Sequence, residues 1–267
     1  MFDIIEEMNT KQLYKEIYNR FGFIKRARFC FLYTKKGIRL TDMFLEDGRA
    51  ILGWQSDSIF TQFKNTLNRS LVGGFITEDH SKVEKAISEV LHSKRKVLYF
   101  TNKADAMKAA LSFSVNNTSV YTPWNQSGIN WNDVDSAVIK PPLPWTDNIY
   151  LVAVKEELYT ENDSLNDTKF PYAVEVGIAR ALYNLIEALQ TREEKDWFIY
   201  DTVLTKYWER KGPYLYTKVP SEKYDDFVKH CLDCGIVINP GYNSPSIVPF
   251  GADKGVFTKL KNNPFEF

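Results

Sequence analysis

Helical and extended segments alternate along most of this chain, which predicts a layered α/β protein, a sheet flanked by helices. Three stretches carry that prediction. Val97–Leu111, VLYFTNKADAMKAAL, passes from a short apolar run through a polar turn into a helix with Ala106, Ala109, Ala110 and Phe113 at helical spacing. Ile149–Val154, IYLVAV, is a continuous apolar run of the kind that both faces of a sheet bury. From Pro171, Val174, Ile178, Ala181, Leu182, Leu185 and Leu189 form the apolar stripe of a long amphipathic helix.

The other elements follow in order. Residues 2–21 read as amphipathic helix, with Ile4, Ile5, Met8, Leu13, Ile17 and Phe21 on one side. Arg28–Thr34 is aromatic and apolar and reads as one strand, and turn signals at Gly37 and Asp47-Gly48 bracket Ile38–Leu45. Ile59, Phe63 and Leu67 recur every four residues in a helix over Asp57–Leu71, closed by Gly73-Gly74. Val83, Ala86, Ile87, Val90 and Leu91 mark the next helix, with Asp79 or Ser81 as its cap. Ser119–Trp124 and Ala137–Ile139 are short strands, and Pro141–Trp145 is a rigid extended connection. Asn162–Asp167 is a polar loop. Trp197, Tyr200, Leu204, Tyr207 and Trp208 predict a helix ending at Gly212, followed by a strand (Tyr214–Val219), a helix (Ser221–Cys234) closed by Gly235, and a strand (Ile236–Ile238).

Composition narrows the function. Apolar residues make up 44% and charged residues 25% of 267, so the chain folds around a real core. Lys+Arg and Asp+Glu both number 34, and a net charge of 0 gives no global pull toward nucleic acid or an anionic membrane. The start, MFDIIEEMNT, lacks the pattern of a signal peptide, and no apolar run reaches membrane-spanning length. Three cysteines cannot all pair with one another, which favours a reduced, cytoplasmic setting.

Three stretches together resemble the fold-type I pyridoxal-phosphate transferases, in particular the class III aminotransferase and glutamate-semialdehyde aminomutase branch. Gly37–Leu71 is similar to that family's N-terminal strands, with an aspartate-glycine turn, a Leu-Gly and the first helix. VLYFTNKADAMKAAL stands where the family has a strand, a small-residue turn for the cofactor phosphate and an alanine-rich helix. Pro171–Pro249, with Cys234-Gly235-Ile236-Val237-Ile238-Asn239-Pro240-Gly241, resembles its long connecting helix and C-terminal small domain. The resemblance implies a reduced large α/β domain over 55–195 and an α+β small domain built from 1–54 and 196–267. It also implies a homodimer, since fold-type I sites form at a two-fold interface.

The departures from the family concern its chemistry. Thr101-Asn102-Lys103 stands where the family's turn has a Ser-Gly-Thr type triplet, so a lysine fills the space that glycine leaves open for a phosphate. As a point charge, Lys103 still allows a small anionic ligand. In the shortened window 114–167, Lys140 and Lys155 follow strands and are the candidates for a Schiff-base lysine, though neither has the family's Ser-Lys context, and both read more simply as solvent-facing lysines at strand ends. Asp133 and Asp135 read as turn and cap residues, not as a partner for the pyridine nitrogen. Lys259 stands where the family often has an arginine for the substrate carboxylate, and it cannot make a bidentate clamp. Two expectations from different classes result. One is a degenerate transferase-like protein without cofactor, acting as a ligand-binding or interaction module. The other is a working pyridoxal-phosphate enzyme on an amino or keto acid.

Other motifs have plain structural readings. Cys231 and Cys234 form a C-x-x-C at a helix C-terminus, in register with Phe227 and Val228, which suits a buried face better than a redox or metal site. His80, His92 and His230 are scattered, and Gln126-Ser127-Gly128 lacks a nucleophile elbow, so neither a metal site nor a hydrolase triad is expected. Trp124 and Trp145, each beside a proline, pin loops or line a pocket.

Overall fold

The computed structural model describes residues 8–73, 81–125, 128–145, 148–160, 165 and 167–267; Ile4, Ile5, Gly74, Asp79, His80, Gln126, Ser127 and most of the 162–167 loop lie outside them. The chain divides into two compact units, Met1–Gln55 with Arg192–Phe267, and Ser56–Thr191. The α/β class expected from the sequence is the class observed.

The first unit begins with α1 (Thr10–Phe21), whose start is a capping box: Asn9 accepts from the Gln12 amide while the Gln12 side chain accepts from the Asn9 amide. Leu13 and Ile17 are its buried face. Where one strand was expected over Arg28–Thr34, the chain makes a hairpin of β1 (Ile24–Arg28) and β2 (Phe31–Thr34). The turn between them has no glycine; Phe29 takes the left-handed conformation itself at φ 51°, so the usual turn signal is missing from the sequence. β3 (Arg39–Asp42) returns antiparallel to β2.

The second unit opens with α2 (Asp57–Asn68), which packs against the long α5 (Tyr172–Thr191) described below. Ile59 and Thr66 are buried on it, whereas Leu67, expected on the buried stripe, is exposed. α3 (Lys82–Val90) buries Val83, Ala86, Ile87 and Val90; Ser81 precedes it without a side-chain cap. β4 (Arg95–Phe100) leads into α4 (Lys103–Ser112), followed by β5 (Thr118–Tyr121), β6 (Ser136–Ile139) and β7 (Tyr150–Lys155). The sheet order is β4-β7-β6-β5, with β7 antiparallel to both neighbours and β5 parallel to β6. β4, β5 and β6 therefore run in one direction and β7 in the other. Ala106, Ala109 and Ala110 bring α4 close to Leu98, Phe100, Val138, Tyr150, Val152 and Val154 on one face of the sheet. Ala137, Ile139, Leu151 and Ala153 of β6 and β7 are fully buried as well, as an apolar run without alternation implies. α5 then crosses α2 at Gly177, where an added Cβ would lie 2.8 Å from Phe63 Cζ; that ring is stacked on Trp145 at 5.6 Å.

The chain returns to the first unit through α6 (Lys195–Phe198) and α7 (Asp201–Leu204). The single helix expected to run to Gly212 ends here. Tyr207 and Trp208 instead enter a hairpin of β8 (Trp208–Lys211) and β9 (Tyr214–Thr217), turned by Gly212 at φ 56°. α8 (Ser221–Asp233) ends before Gly235 and leads to β10 (Ile236–Val237), which runs parallel to β3 with Ile236 opposite Thr41. β11 (Ser246–Ile247) joins β9, and α9 (Thr258–Asn262) precedes the C-terminus. The unit thus holds one sheet ordered β1-β2-β3-β10 and another ordered β11-β9-β8. Its core is aromatic: Phe227 touches Tyr207, Trp208, Tyr224 and Phe265 at ring separations of 5.1–6.3 Å.

Candidate functional site

A strand feeding a helix leaves the helix's first amides unpaired and aimed at the turn, which is where an anion binds if the turn is open. Here the turn closes on itself. Asn102 is extended (φ −126°, ψ 131°), and its side-chain oxygen accepts from the amides of Ala104 at 2.7 Å and Asp105 at 3.4 Å. Its backbone oxygen accepts from Ala106 at 3.0 Å. Thr101, Asn102 and Lys103 are all exposed, and Lys103 is the first helical residue. Asp105 supplies the negative charge that a helix start favours. A pyridoxal phosphate would have to displace the Asn102 carboxamide and approach Asp105, so the turn as arranged does not fit that group.

The two candidate lysines are separated by the length of the sheet. Phe100 pairs with Tyr150, and Ile139 pairs with both Tyr121 and Leu151, so Lys140 lies at the end of the sheet that carries Thr101–Lys103. It stands two strand spacings, about 10 Å, from β4. Lys155 pairs with Arg95 at the opposite end. There its ammonium lies 3.4 Å from Asp135, whose side chain is buried and accepts from the amides of Val115 (3.0 Å), Asn116 (2.7 Å) and Asn117 (3.4 Å). The Asn116 amide above all, with the other two amides and Lys155, holds the Asp135 carboxyl below the usual carboxylate range against the cost of its burial. Arg95 completes the arrangement by donating to the backbone oxygens of Asp135 (2.9 Å) and Trp131 (2.7 Å). Asp135 is thus the hub of a clamp joining β4, β6, β7 and the approach to β5, not a cap. Asp133 is a turn residue, accepting from the Asn130 amide group at 2.8 Å.

A cleft of about 460 Å³ that sequence reading missed lies along β4, lined among others by Glu84, Lys96, Tyr99, Phe170 and Glu175. Its lining comes from α3, β4, α5 and the segment 167–170 that precedes α5, parts far from one another in the chain. Lys96 is paired with Glu84 at 3.3 Å, and the Phe170 ring stands edge-on to Tyr99 at 5.9 Å. Burial, with Glu175 and Glu84 nearby, raises the Tyr99 hydroxyl well above its ordinary value. The cleft is of small-molecule size, and carboxylates, a paired lysine and aromatic rings meet in its lining.

The first unit contains a second polar cluster. Asp42 is buried and accepts from the amides of Phe44 (3.0 Å) and Leu45 (2.9 Å) and from Trp54 Nε1 (2.7 Å). Leu45, Glu46, Asp47 and Gly48 all have positive φ, 47°, 54°, 56° and 78°. Three consecutive non-glycine residues in that region are costly, and the surroundings hold them there. Tyr14 donates to Glu46, Arg49 pairs with Glu46 at 3.5 Å, and Asn239 donates to Asp47 at 3.2 Å. Only the Asp47-Gly48 turn was visible in the sequence.

Cys30, Cys231 and Cys234 are free and buried, and burial pushes the Cys231 thiol up, away from reactivity. Among the described residues no group of three or more His, Cys, Asp or Glu could hold a metal, and no helix is long and apolar enough to cross a membrane. Lys259 lies in the last turn of α9.

No family model matches this chain. An uncharacterised protein of Treponema pallidum is 24% identical over 281 residues, spanning 88% of this chain and 91% of its own. Another, from Borreliella burgdorferi, is 27% identical over 244 residues, spanning 89% and 88%. Among solved structures, the ornithine aminotransferase of Plasmodium yoelii aligns with a TM-score of 0.65 at 13% identity, covering 95% of this chain and 97% of that one. The acetylornithine aminotransferase of Elizabethkingia anophelis aligns at 0.66 and 10% identity, with the same coverage. At such identities the likeness is one of fold: the chain resembles the aminotransferase fold, shortened to 267 residues.

Proposed function

We propose that this chain is an aminotransferase-fold protein that has given up pyridoxal-phosphate chemistry and serves as a ligand-binding or protein-interaction module. The observation that carries the reading is the Asn102 side chain, which takes the Ala104 and Asp105 amides that a cofactor phosphate would need. The Asp105 carboxylate adds repulsion, and the exposed Lys103 offsets little of it, since exposed charge pairs contribute about 1 kcal/mol at most. Lys140, at the same end of the sheet as this turn, supports the second reading, a pyridoxal-phosphate transferase acting on an amino or keto acid.

The purified protein is expected to be colourless, to gain no absorbance near the visible edge with 1 mM pyridoxal phosphate, and to melt at an unchanged temperature. A ligand at 100 times its dissociation constant would add about 2.7 kcal/mol. For a chain of this size that amounts to several degrees. A rise of that size, lost in Lys140→Ala and accompanied by borohydride fixation at Lys140, would establish the enzyme reading instead. The same fold supports assembly as a homodimer, and light scattering at micromolar concentration is expected to give about twice the 31.0 kDa of one chain. A particle of 31.0 kDa would refute the dimer.

A further inference from the structure

The charge balance of zero hides a strong segregation. Between Phe21 and Thr41 the chain carries Lys25, Arg26, Arg28, Lys35, Lys36 and Arg39 and not one aspartate or glutamate. Lys25, Arg26 and Arg28 sit on β1, Lys35 and Lys36 in the turn between β2 and β3, and Arg39 on β3. The alternation of the strands sorts them: Leu32, Thr34 and Leu40 point inward and are buried, while Arg26, Arg28, Phe31, Tyr33 and Arg39 share the outward face. Register aligns Arg26, Tyr33 and Arg39 in one row across three strands. The Arg26 guanidinium lies over the Tyr33 ring and that of Arg39 over the Phe31 ring, each at 4.6 Å. Such stacking orients a guanidinium while leaving its N–H edge to solvent. Among the described residues none of the six cations forms an ion pair.

Aromatic rings bound the row at both ends. Phe29, 53% exposed, is held out at the hairpin turn in a left-handed conformation that an aromatic residue adopts only at a cost, beside Arg28 at 5.1 Å. Phe23, 59% exposed, stands at the other end of β1 against Tyr18 and beside Lys35 at 5.4 Å. Five residues lie between the two rings, and six steps along an extended chain span about 20 Å. Unpaired guanidinium edges between exposed π-faces match a polymer that alternates phosphates with planar bases.

We propose that the outward face of β1, β2 and β3 binds single-stranded nucleic acid, with phosphates on Arg26, Arg28 and Arg39 and bases stacked on Phe23 and Phe29. A duplex buries its bases and would leave both rings without partners. A second copy of this chain docked two-fold on the same face would set six cations against six. The proposal names a partner for the interaction role above and rests on that reading only for its biological meaning. Nucleic-acid binding at residues 23–39 and cofactor binding at Thr101–Lys103 are read by separate measurements, so either can fail alone.

The test titrates the full-length protein with a fluorescent 15-nucleotide oligo(dU), with a duplex of equal length and with phosphatidylserine vesicles, at 50 and 200 mM salt. Single strands are expected to bind more tightly than duplex, with affinity falling about 0.7 log units per log unit of salt for each phosphate contacted. Replacing Arg26, Arg28 and Arg39 together by Gln is expected to weaken binding at least tenfold and lower that slope by about 2. Phe29→Asn suits the left-handed turn, so the protein stays folded, and it is expected to weaken single-strand binding fivefold or more by removing one stacking face. No single-strand binding at 50 mM salt, duplex binding as tight as single-strand binding, indifference to Phe29→Asn, or binding to vesicles alone would each overturn the proposal.

Discussion

Replacing Asp135 by Ala is expected to cost about 3–5 kcal/mol, because one carboxylate serves partners from several directions. Its loss strands three amides, those of Val115, Asn116 and Asn117, and leaves the largely buried Lys155 ammonium without its carboxylate. Asn at this position keeps an acceptor for the amides and loses the charge opposite Lys155, so Asp135→Asn is expected to cost about 1–3 kcal/mol. The pH dependence follows from the direction of the shift. The folded-state carboxyl titrates below its ordinary value of 3.8, so its contribution is complete above pH 3.8 and is lost as pH falls through the folded value. Urea titrations are expected to show a constant stability gap between the parent and Asp135→Ala from pH 8 to 5, closing in stronger acid. Hydrogen exchange at Val115–Asn117 should quicken in the variant even where global unfolding masks other effects. A gap below 1 kcal/mol at pH 7, or one that widens in acid, would show that the clamp is not electrostatic.

The α/β architecture was legible wherever apolar periodicity and burial coincide. α4 was foreseen from Ala106, Ala109, Ala110 and Phe113, and all four are buried. β7 was foreseen as a strand covered on both sides, and from Tyr150 to Val154 it is buried throughout. Where local spacing and tertiary pairing disagreed, pairing won. Tyr207 and Trp208 continue a helical spacing from Trp197, Tyr200 and Leu204, yet the turn at Gly212 lets Trp208–Lys211 pair with Tyr214–Thr217. The hairpin at Phe29 carried no turn residue, because an aromatic side chain occupies a backbone conformation usually left to glycine or asparagine.

The candidate sites were less legible, for reasons that differ. At the central turn Lys103 is the visible departure from a small-residue triplet, while the side chain that takes the first helical amides belongs to Asn102, an N-cap whose preference for helix starts was readable. Lys140 and Lys155 look alike in sequence, each following a short apolar strand. Only the antiparallel direction of β7 puts them at opposite ends of the sheet. The cleft beside Tyr99 assembles residues from Glu84 to Glu175, a span no local pattern covers. The basic face was lost by averaging charge over 267 residues; a window over residues 21–41 displays it.

Removal of Asp42 is the counterpart, with the opposite pH dependence. Burial raises the Asp42 carboxyl to about 6, and bonds from the Leu45 amide, Trp54 and the Phe44 amide only partly oppose that rise. Because the folded value lies above the ordinary 3.8, the folded state binds the proton more tightly than the unfolded chain between pH 4 and 6. Stability contributed by this group therefore grows on acidification through that window, reaching about 3 kcal/mol when the group is protonated in both states. Asp42→Ala leaves two backbone amides and the Trp54 indole N–H without their acceptor and loosens the left-handed run from Leu45 to Gly48. Each stranded donor costs about 1–3 kcal/mol, offset at neutral pH by relief of the buried charge, so a net loss of about 2–4 kcal/mol is expected at pH 7. At pH 5 the loss should be larger, since the parent gains there and the variant does not. Urea titrations of both proteins at the two pH values decide the matter. A gap that stays constant or shrinks between pH 7 and 5 would mean that Asp42 is not the group whose burial governs this turn.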